Sequence, residues 1–305
     1  MRICSFLPSA TEIVYALGLG DDLYGVSHEC DYPNDARSKA HVVRSRFDAS
    51  QMTSAEIDRT VSDLVSRGER IYEIDLDALK IAKPDLVITQ ELCEVCAVSF
   101  EDVQEAVIQL DMPPRVVSLD PHSLGDVLQN IQQIGEYTGE TGRASEYTSR
   151  LDERIEDVKS RIASTDSRPT VACIEWLDPL ITAGHWVPEM VEMAGGTDVL
   201  AEPGGPSLRI EFQTLADASP DILVLMPCGI GVEAAQSEFD GLKDAAQWRE
   251  LAAFKNRQVY VVDSGALYSR SGPRLVDGLE IFGQMFHPEK FSGEQNSDLV
   301  RPLTL

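Results

Sequence analysis

A chain of 305 residues, 43% of them hydrophobic, can bury a substantial core and is long enough for two lobes of roughly 120 residues each. No stretch approaches the roughly 18 to 20 uninterrupted apolar residues that a membrane-spanning helix needs, so insertion into a bilayer is not expected. A formal net charge of −25 and a pI of about 4.4 oppose nucleic acid and anionic lipid as partners, because like charges repel within a Debye length.

The 51 acidic residues are spread along the chain instead of forming one tail, which reads as the solvated acidic surface of a halophilic protein. The six cysteines, Cys4, Cys30, Cys93, Cys96, Cys173 and Cys228, are expected to be reduced in a chain of this size. The first apolar segment is about five residues long and ends at Pro8, shorter than the roughly 7 to 15 residues of a secretory signal. The expectation is a cytoplasmic protein; the alternative, should residues precede Met1, is an extracytoplasmic one.

Taken in chain order, residues 2–6, 23–26, 85–89 and 115–119 are short β-branched runs separated by helical patterns, which argues βαβ units and a parallel sheet. Between the first two, residues 11–17 carry a helical apolar spacing, with Ser9 as expected cap and Gly18 and Gly20 as stop. From Ser123, the positions Leu124, Val127, Leu128, Ile131 and Ile134 form the stripe of an amphipathic helix. A charged helix of roughly 30 Å follows over about 143–163. Strands resume at 170–175, 221–226 and 258–262, and Ser271-Gly272-Pro273 opens a final helix. Beyond Pro288 the polar tail is expected to be loose. The reading is thus an α/β lobe over 1–122, a helical linker over 123–168, a second α/β lobe over 169–288 and a tail over 289–305.

Several segments in this order resemble one family. They are Pro8-Ser9-Ala10-Thr11-Glu12, Asp31-Tyr32-Pro33 and Lys83-Pro84-Asp85-Leu86-Val87-Ile88 in the first lobe. The second lobe adds Asp178-Pro179-Leu180-Ile181-Thr182-Ala183-Gly184, Glu192-Met193-Ala194-Gly195-Gly196, Ser219-Pro220-Asp221 and Ser269-Arg270-Ser271-Gly272-Pro273-Arg274. Each alone is weak, since Lys-Pro-Asp or Ser-Pro-Asp merely ends a helix and starts a strand; order and spacing carry the signal. The chain resembles the helix-linked periplasmic binding proteins, the substrate-binding proteins of ABC importers for cobalamin, haem and ferric siderophores, and is most similar to the cobalamin-binding member. That resemblance implies a class III architecture, two lobes each built on a mostly parallel sheet flanked by helices and joined by a long, rigid α-helix. It further implies a monomeric, non-enzymatic protein with cobalamin or a related corrinoid or metal chelate held between the lobes, serving an ABC importer or acting as an intracellular carrier. Family receptors dock on the importer permease through an acidic residue on each lobe; Glu101 is the candidate contact in the first.

Loops that follow strands are where open α/β sheets bind ligands. By that position the candidate ligand-binding residues are Pro8, Ser9, His28, Glu29, Tyr32, Glu91, Trp176, His185, Trp186, Tyr268 and Arg270. Aromatic faces bury a flat macrocycle and a few polar groups fix its edges; the competing reading of Trp176 and Trp186 is that they cover the second lobe's core.

His28, Cys30, Cys93 and Cys96 form a His-x-Cys and a Cys-x-x-Cys, each after a strand. They are competent tetrahedral ligands for zinc or another soft metal, or an axial ligand to iron or cobalt. A reversible Cys93–Cys96 disulfide is the redox alternative, and unrelated small apolar fillers the bland one. On this cluster rests the alternative function, a metal-handling protein or metalloenzyme on the same fold. Cys4, Cys173 and Cys228 read as fillers of apolar strands, and His41, His122 and His287 as isolated structural residues.

Overall fold

Runs of Val, Ile and Leu covered by helices on both faces bury every side chain, and that is what places them at the centres of parallel sheets. The computed structural model describes residues 1–49, 52–91, 97–165, 167–242, 245–291 and 297–303. It divides into two units. Met1–Met52, Glu56–Pro121 and Gly125–Ser149 make the first, and Thr53–Ala55, His122–Leu124 and Arg150–Leu305 the second.

The first unit runs β1 (Ile3–Ser5), α1 (Pro8–Ala16), β2 (Leu23–Ser27), β3 (His41–Ser45), α2 (Ser54–Ser66), β4 (Tyr72–Ile74), α3 (Leu76–Ala82), β5 (Leu86–Thr89), α4 (Phe100–Val107), β6 (Arg115–Ser118) and α5 (Leu124–Thr138). The division between units falls inside α6 (Thr141–Ile162). The sheet order is β4-β3-β2-β1-β5-β6, parallel throughout except for β3 with β4. All four residues of β5 are buried, and Cys4, Phe6 and Val87 pack with Leu79 of α3 and Val103 and Val107 of α4.

The second unit runs β7 (Thr170–Leu177), β8 (Leu180–Thr182), α7 (Val187–Met193), β9 (Thr197–Asp198), α8 (Phe212–Ala218), β10 (Ile222–Leu225), α9 (Val232–Asp240), α10 (Ala245–Trp248), α11 (Ala252–Lys255), β11 (Val259–Val262), α12 (Ser264–Leu267), α13 (Leu275–Phe286) and β12 (Val300–Pro302). Its order is β12-β11-β10-β7-β8, with β9 pairing β7. β7, β9, β10 and β11 are parallel, and β8 and β12 are antiparallel. Ile174, Leu223, Leu225 and Val261 form one core with Phe239 and Trp248. Both units are therefore α/β, each a mostly parallel sheet flanked by helices.

The Lys-Pro-Asp and Ser-Pro-Asp segments do the same work in the two units. Lys83 and Ser219 end α3 and α8 in the left-handed conformation, at φ 47° and 45°, and the following proline cannot continue a helix. The aspartate then caps the neighbouring strand: Asp85 Oδ2 accepts from the Arg2 N–H at 2.7 Å, and Asp221 Oδ2 from the Thr170 N–H at 2.9 Å. A residue with a Cβ is strained at positive φ, by about 1–2 kcal/mol. Ser219→Gly is expected to raise the stability of the second unit by about 0.5–1 kcal/mol after the extra chain entropy of glycine is offset. A urea midpoint that stays put or falls would show that the left-handed cap is not strained.

Two expectations are corrected. The first helix begins at Pro8, in the first turn, where a proline loses no hydrogen bond; Ser9 lies inside that turn and is 3% exposed, so it is not the cap. The tail is in part ordered, since β12 pairs with β11 (Tyr260↔Pro302, Val262↔Val300) and Leu303 joins the core. An open strand edge presents a row of unpaired N–H and C=O groups that another strand satisfies.

Candidate ligand-binding site

In a parallel sheet all strands point the same way, so the loops leaving their carboxyl ends gather along one edge. In the first unit these loops carry Pro8 and Ser9 after β1, His28, Glu29 and Tyr32 after β2, Arg46 and Phe47 after β3, Glu91 after β5 and Asp120 after β6. Ser9 and Cys30 are buried, His28 is partly buried, and Glu29, Tyr32 and Glu91 are exposed. The His28 imidazole stands 3.2 Å from the Glu29 carboxylate and 6.0 Å, ring to ring, from Tyr72. The Glu91 N–H donates to Asp120, whose other oxygen accepts from Ser118 at 2.9 Å.

Beside His28 opens a pocket of about 420 Å³ lined by His28, His41, Arg44, Arg46, Phe47 and Asp48. His41 sits below the ordinary imidazole range, first through burial and then through its electrostatic interaction with His28 and Arg44. Sequence reasoning named His28 but missed Arg44, Arg46, Phe47 and Asp48, because β3 was not read as a strand. The alternation in His41-Val42-Val43-Arg44-Ser45 was the available signal.

In the second unit Trp176 lies near the carboxyl end of β7, half-buried. Its indole nitrogen is buried and has no hydrogen-bond partner among the described residues. His185 holds a left-handed backbone at φ 55°, fixed by its N–H donating to the Gly205 carbonyl at 2.6 Å. Such outliers concentrate at functional sites. Its ring lies 6.3 Å from that of His122 and 5.7 Å from that of Trp186, and burial, then His122, depresses its pKa. Buried Nδ1 of His185 likewise has no partner among the described residues. His41 and His122 are thus not isolated structural residues; His287, at 3% exposed, is buried.

Two of the aromatic candidates are corrected. Trp186 is 6% exposed and its indole N–H donates to the Tyr268 carbonyl at 2.8 Å. Tyr268 is 2% exposed, donates its hydroxyl to the Gly278 carbonyl at 3.0 Å and stacks on Phe282 at 4.6 Å. Both rings belong to the second unit's core, because each has an apolar body that packs and a polar tip that finds a carbonyl. Arg270 is partly buried.

Of the thiol cluster, Cys93 and Cys96 lie outside the described residues. Cys30 is 2% exposed and its sulfur accepts from the Thr11 hydroxyl at 3.1 Å. No group of three or more His, Cys, Asp or Glu stands ready to hold a metal among the described residues. Cys4 and Cys173 fill the cores, whereas Cys228 is exposed and corrects the expectation of a strand filler. Glu101 is exposed in the first turn of α4, after Ser99 has capped that helix by accepting from the Asp102 N–H.

A pair of α/β units with polar and aromatic side chains on the carboxyl edges of their sheets defines a small-molecule binding protein. The comparison with family models agrees: residues 3–266 match the periplasmic binding protein family, and the chain belongs to it. It is therefore a ligand binder and not an enzyme. A substrate-binding lipoprotein of an ABC transporter from Bacillus subtilis, YvrC, is 27% identical over 95% of this chain and 81% of its own length. A vitamin B12-binding protein of Vibrio cholerae is 24% identical over 92% and 86%. Among solved structures, the periplasmic vitamin B12-binding protein BtuF of Vibrio cholerae superposes with a TM-score of 0.70 at 22% identity, covering 95% of this chain and 98% of its own. A periplasmic haem-binding protein from Pseudomonas aeruginosa gives 0.72 at 20% identity, covering 94% and 92%. At these identities the superpositions establish the fold. The expectation of a cytoplasmic protein finds no support in relatives named as lipoprotein or periplasmic. Among the described residues no helix is long and apolar enough to cross a membrane.

Proposed function

We propose that the chain is the substrate-binding component of an ABC importer, working outside the cytoplasm, and that its ligand is a corrinoid or related metal chelate with cobalamin as first candidate. The observation that carries this reading is Trp176, a half-buried aromatic at the carboxyl end of a parallel strand whose indole N–H lacks a partner among the described residues. A buried donor left unpaired costs about 1–3 kcal/mol, and the rim of a corrin ring, which carries amide carbonyls, supplies both an apolar plate and acceptors. His185, Arg270, His28, Glu29, Tyr32 and Glu91 are the further candidate contacts, with Pro8 and Ser9 shaping the first loop. Glu101 is the candidate contact to the permease. The acidic surface suits work at high salt, where counter-ions screen the repulsion among carboxylates.

The test is a titration of the whole chain in molar potassium chloride with aquocobalamin, cobinamide, hemin and a ferric siderophore. A single site for a corrinoid is expected, with quenching of tryptophan fluorescence and a stabilisation of about 2.7 kcal/mol at 100 times the dissociation constant. If none of these compounds changes the heat or the melting temperature, the binding reading is wrong. Tight binding of hemin alone would move the ligand class from corrinoid to haem.

A further inference from the structure

The first unit's pocket has a chemical character of its own. It lies along the edge of adjacent parallel strands, with His28 after the carboxyl end of β2, His41 opening β3, Arg44 and Ser45 ending it, and Arg46 and Phe47 following it. In a chain with 51 acidic and 26 basic residues, its lining carries two guanidinium groups against one carboxylate, Asp48, with the Glu29 carboxylate 3.2 Å from His28 at its side. Arg44 is held by Asp75 at 3.3 Å. Arg46 makes no ion pair among the described residues; one of its nitrogens donates to the Arg70 carbonyl at 3.2 Å. An arginine has five N–H donors in a planar fork that matches carboxylate and phosphate oxygens, so one such bond leaves most of the fork for another acceptor. The loop that carries it is pinned locally, since the Ser45 hydroxyl donates to the Phe47 carbonyl at 2.7 Å and accepts from the Phe47 N–H at 3.3 Å. A volume of about 420 Å³ exceeds a free oxyanion and suits an anionic group carried on a larger molecule, with Phe47 as its apolar wall.

We propose that this pocket is an oxyanion-recognition subsite that takes a phosphate or carboxylate group at the periphery of the ligand. The assignment rests on the reading of the chain as a chelate-binding protein and deepens it, by making the anionic group a basis of selection. Charge-assisted hydrogen bonds are roughly twice as strong as neutral ones, so the guanidinium pair favours a ligand that brings an anion over one that presents only neutral amides.

The experiment compares aquocobalamin, whose nucleotide loop carries a phosphate, with diaquocobinamide, which lacks the nucleotide. Wild-type protein and the double variant Arg44→Gln/Arg46→Gln are measured at constant ionic strength. In the variant, cobalamin affinity is expected to fall about tenfold while cobinamide affinity is retained. Equal losses for both ligands would overturn the selective role, as would no loss for either, unless the anion arrives free. That source is tested by adding inorganic phosphate or acetate and following the imidazole proton resonances of His28 and His41. Shifts in the wild type that vanish in the variant would support a free oxyanion as occupant; their absence, together with unchanged corrinoid affinities, refutes the subsite. If no corrinoid binds at all, the chelate reading fails and the phosphate titration decides the subsite alone. Should the double variant unfold, Arg46→Gln and the charge-retaining Arg44→Lys/Arg46→Lys replace it, the second expected to keep part of the anion preference.

Discussion

Trp186→Ala is expected to lower the unfolding free energy of the second unit by about 3–5 kcal/mol, the range for removing a large buried aromatic side chain. The loss has two parts. The indole, 6% exposed, leaves a cavity in the buried interior of the second unit. It also orphans the buried Tyr268 carbonyl that accepted its N–H, and an unmet buried acceptor adds its own desolvation penalty. Trp186→Phe keeps most of the volume and loses the hydrogen bond, so it should cost about 1–2 kcal/mol. The measurement is direct because all three tryptophans, Trp176, Trp186 and Trp248, lie in the second unit. Fluorescence during urea unfolding therefore reports that unit alone. A loss below about 1 kcal/mol for the alanine variant, with an unchanged urea dependence, would mean that Trp186 is not a core residue. Corrinoid affinity in Trp186→Phe should match the wild type, which separates this ring from a ligand contact.

The second large effect belongs to Asp198. Burial raises its pKa from 3.8 to about 6, against the smaller opposing effect of the Leu200 and Ala201 N–H groups, with Glu192 adding to the rise. Oδ1 accepts from both amides at 2.9 and 3.0 Å, while Oδ2 is buried without a partner among the described residues. A carboxyl group whose folded pKa lies above its unfolded value is better protonated in the folded state. Its favourable contribution is complete below about pH 4 and is lost as pH rises through about 6. The displacement corresponds to about 3 kcal/mol at most. Asp198→Asn keeps Oδ1 and removes the ionisation. The stability difference between variant and wild type should therefore rise in the variant's favour between about pH 4 and pH 6, by about 1–3 kcal/mol, and stay level above that. Any cost of the new amide is the same at every pH and shifts the curve without changing its slope. A difference curve with no slope in this window would show that Asp198 is charged in the folded protein at no penalty. The other carboxylates of this acidic chain titrate in both proteins and cancel in the difference.

How far the sequence reached depended on whether a signal was local. The strands of β1, β5, β6, β7, β10 and β11 are β-branched runs that no helix period fits, and Lys83-Pro84-Asp85 and Ser219-Pro220-Asp221 encode a helix stop and a strand cap within three residues. Periodicity likewise specified α5 and α6, because a helix's buried face is a matter of residues three and four apart. Those signals determined the α/β class, the order of the elements and the candidate loops at the carboxyl ends of strands. β3, β8, β9 and β12 are two to five residues long and exist because a neighbouring strand offers unpaired backbone groups; β12 even contains Pro302, tolerated where its missing N–H faces away from the ladder.

The site divides along the same line. Trp176, Trp186 and Tyr268 look alike in sequence as aromatic residues near strand ends, yet Trp186 and Tyr268 pack into the core while Trp176 keeps an unmatched indole N–H. That difference lies in a carbonyl 82 residues away from Trp186, and contacts of such separation leave no trace in local spacing. The approach of His122 to His185, and of Arg44 and Arg46 to His28, follows from strand neighbours and chain returns that only the tertiary structure decides. Hydrophobic periodicity and turn chemistry act between adjacent residues and so are written in the sequence; which polar groups meet depends on how the closed sheets bring distant segments together.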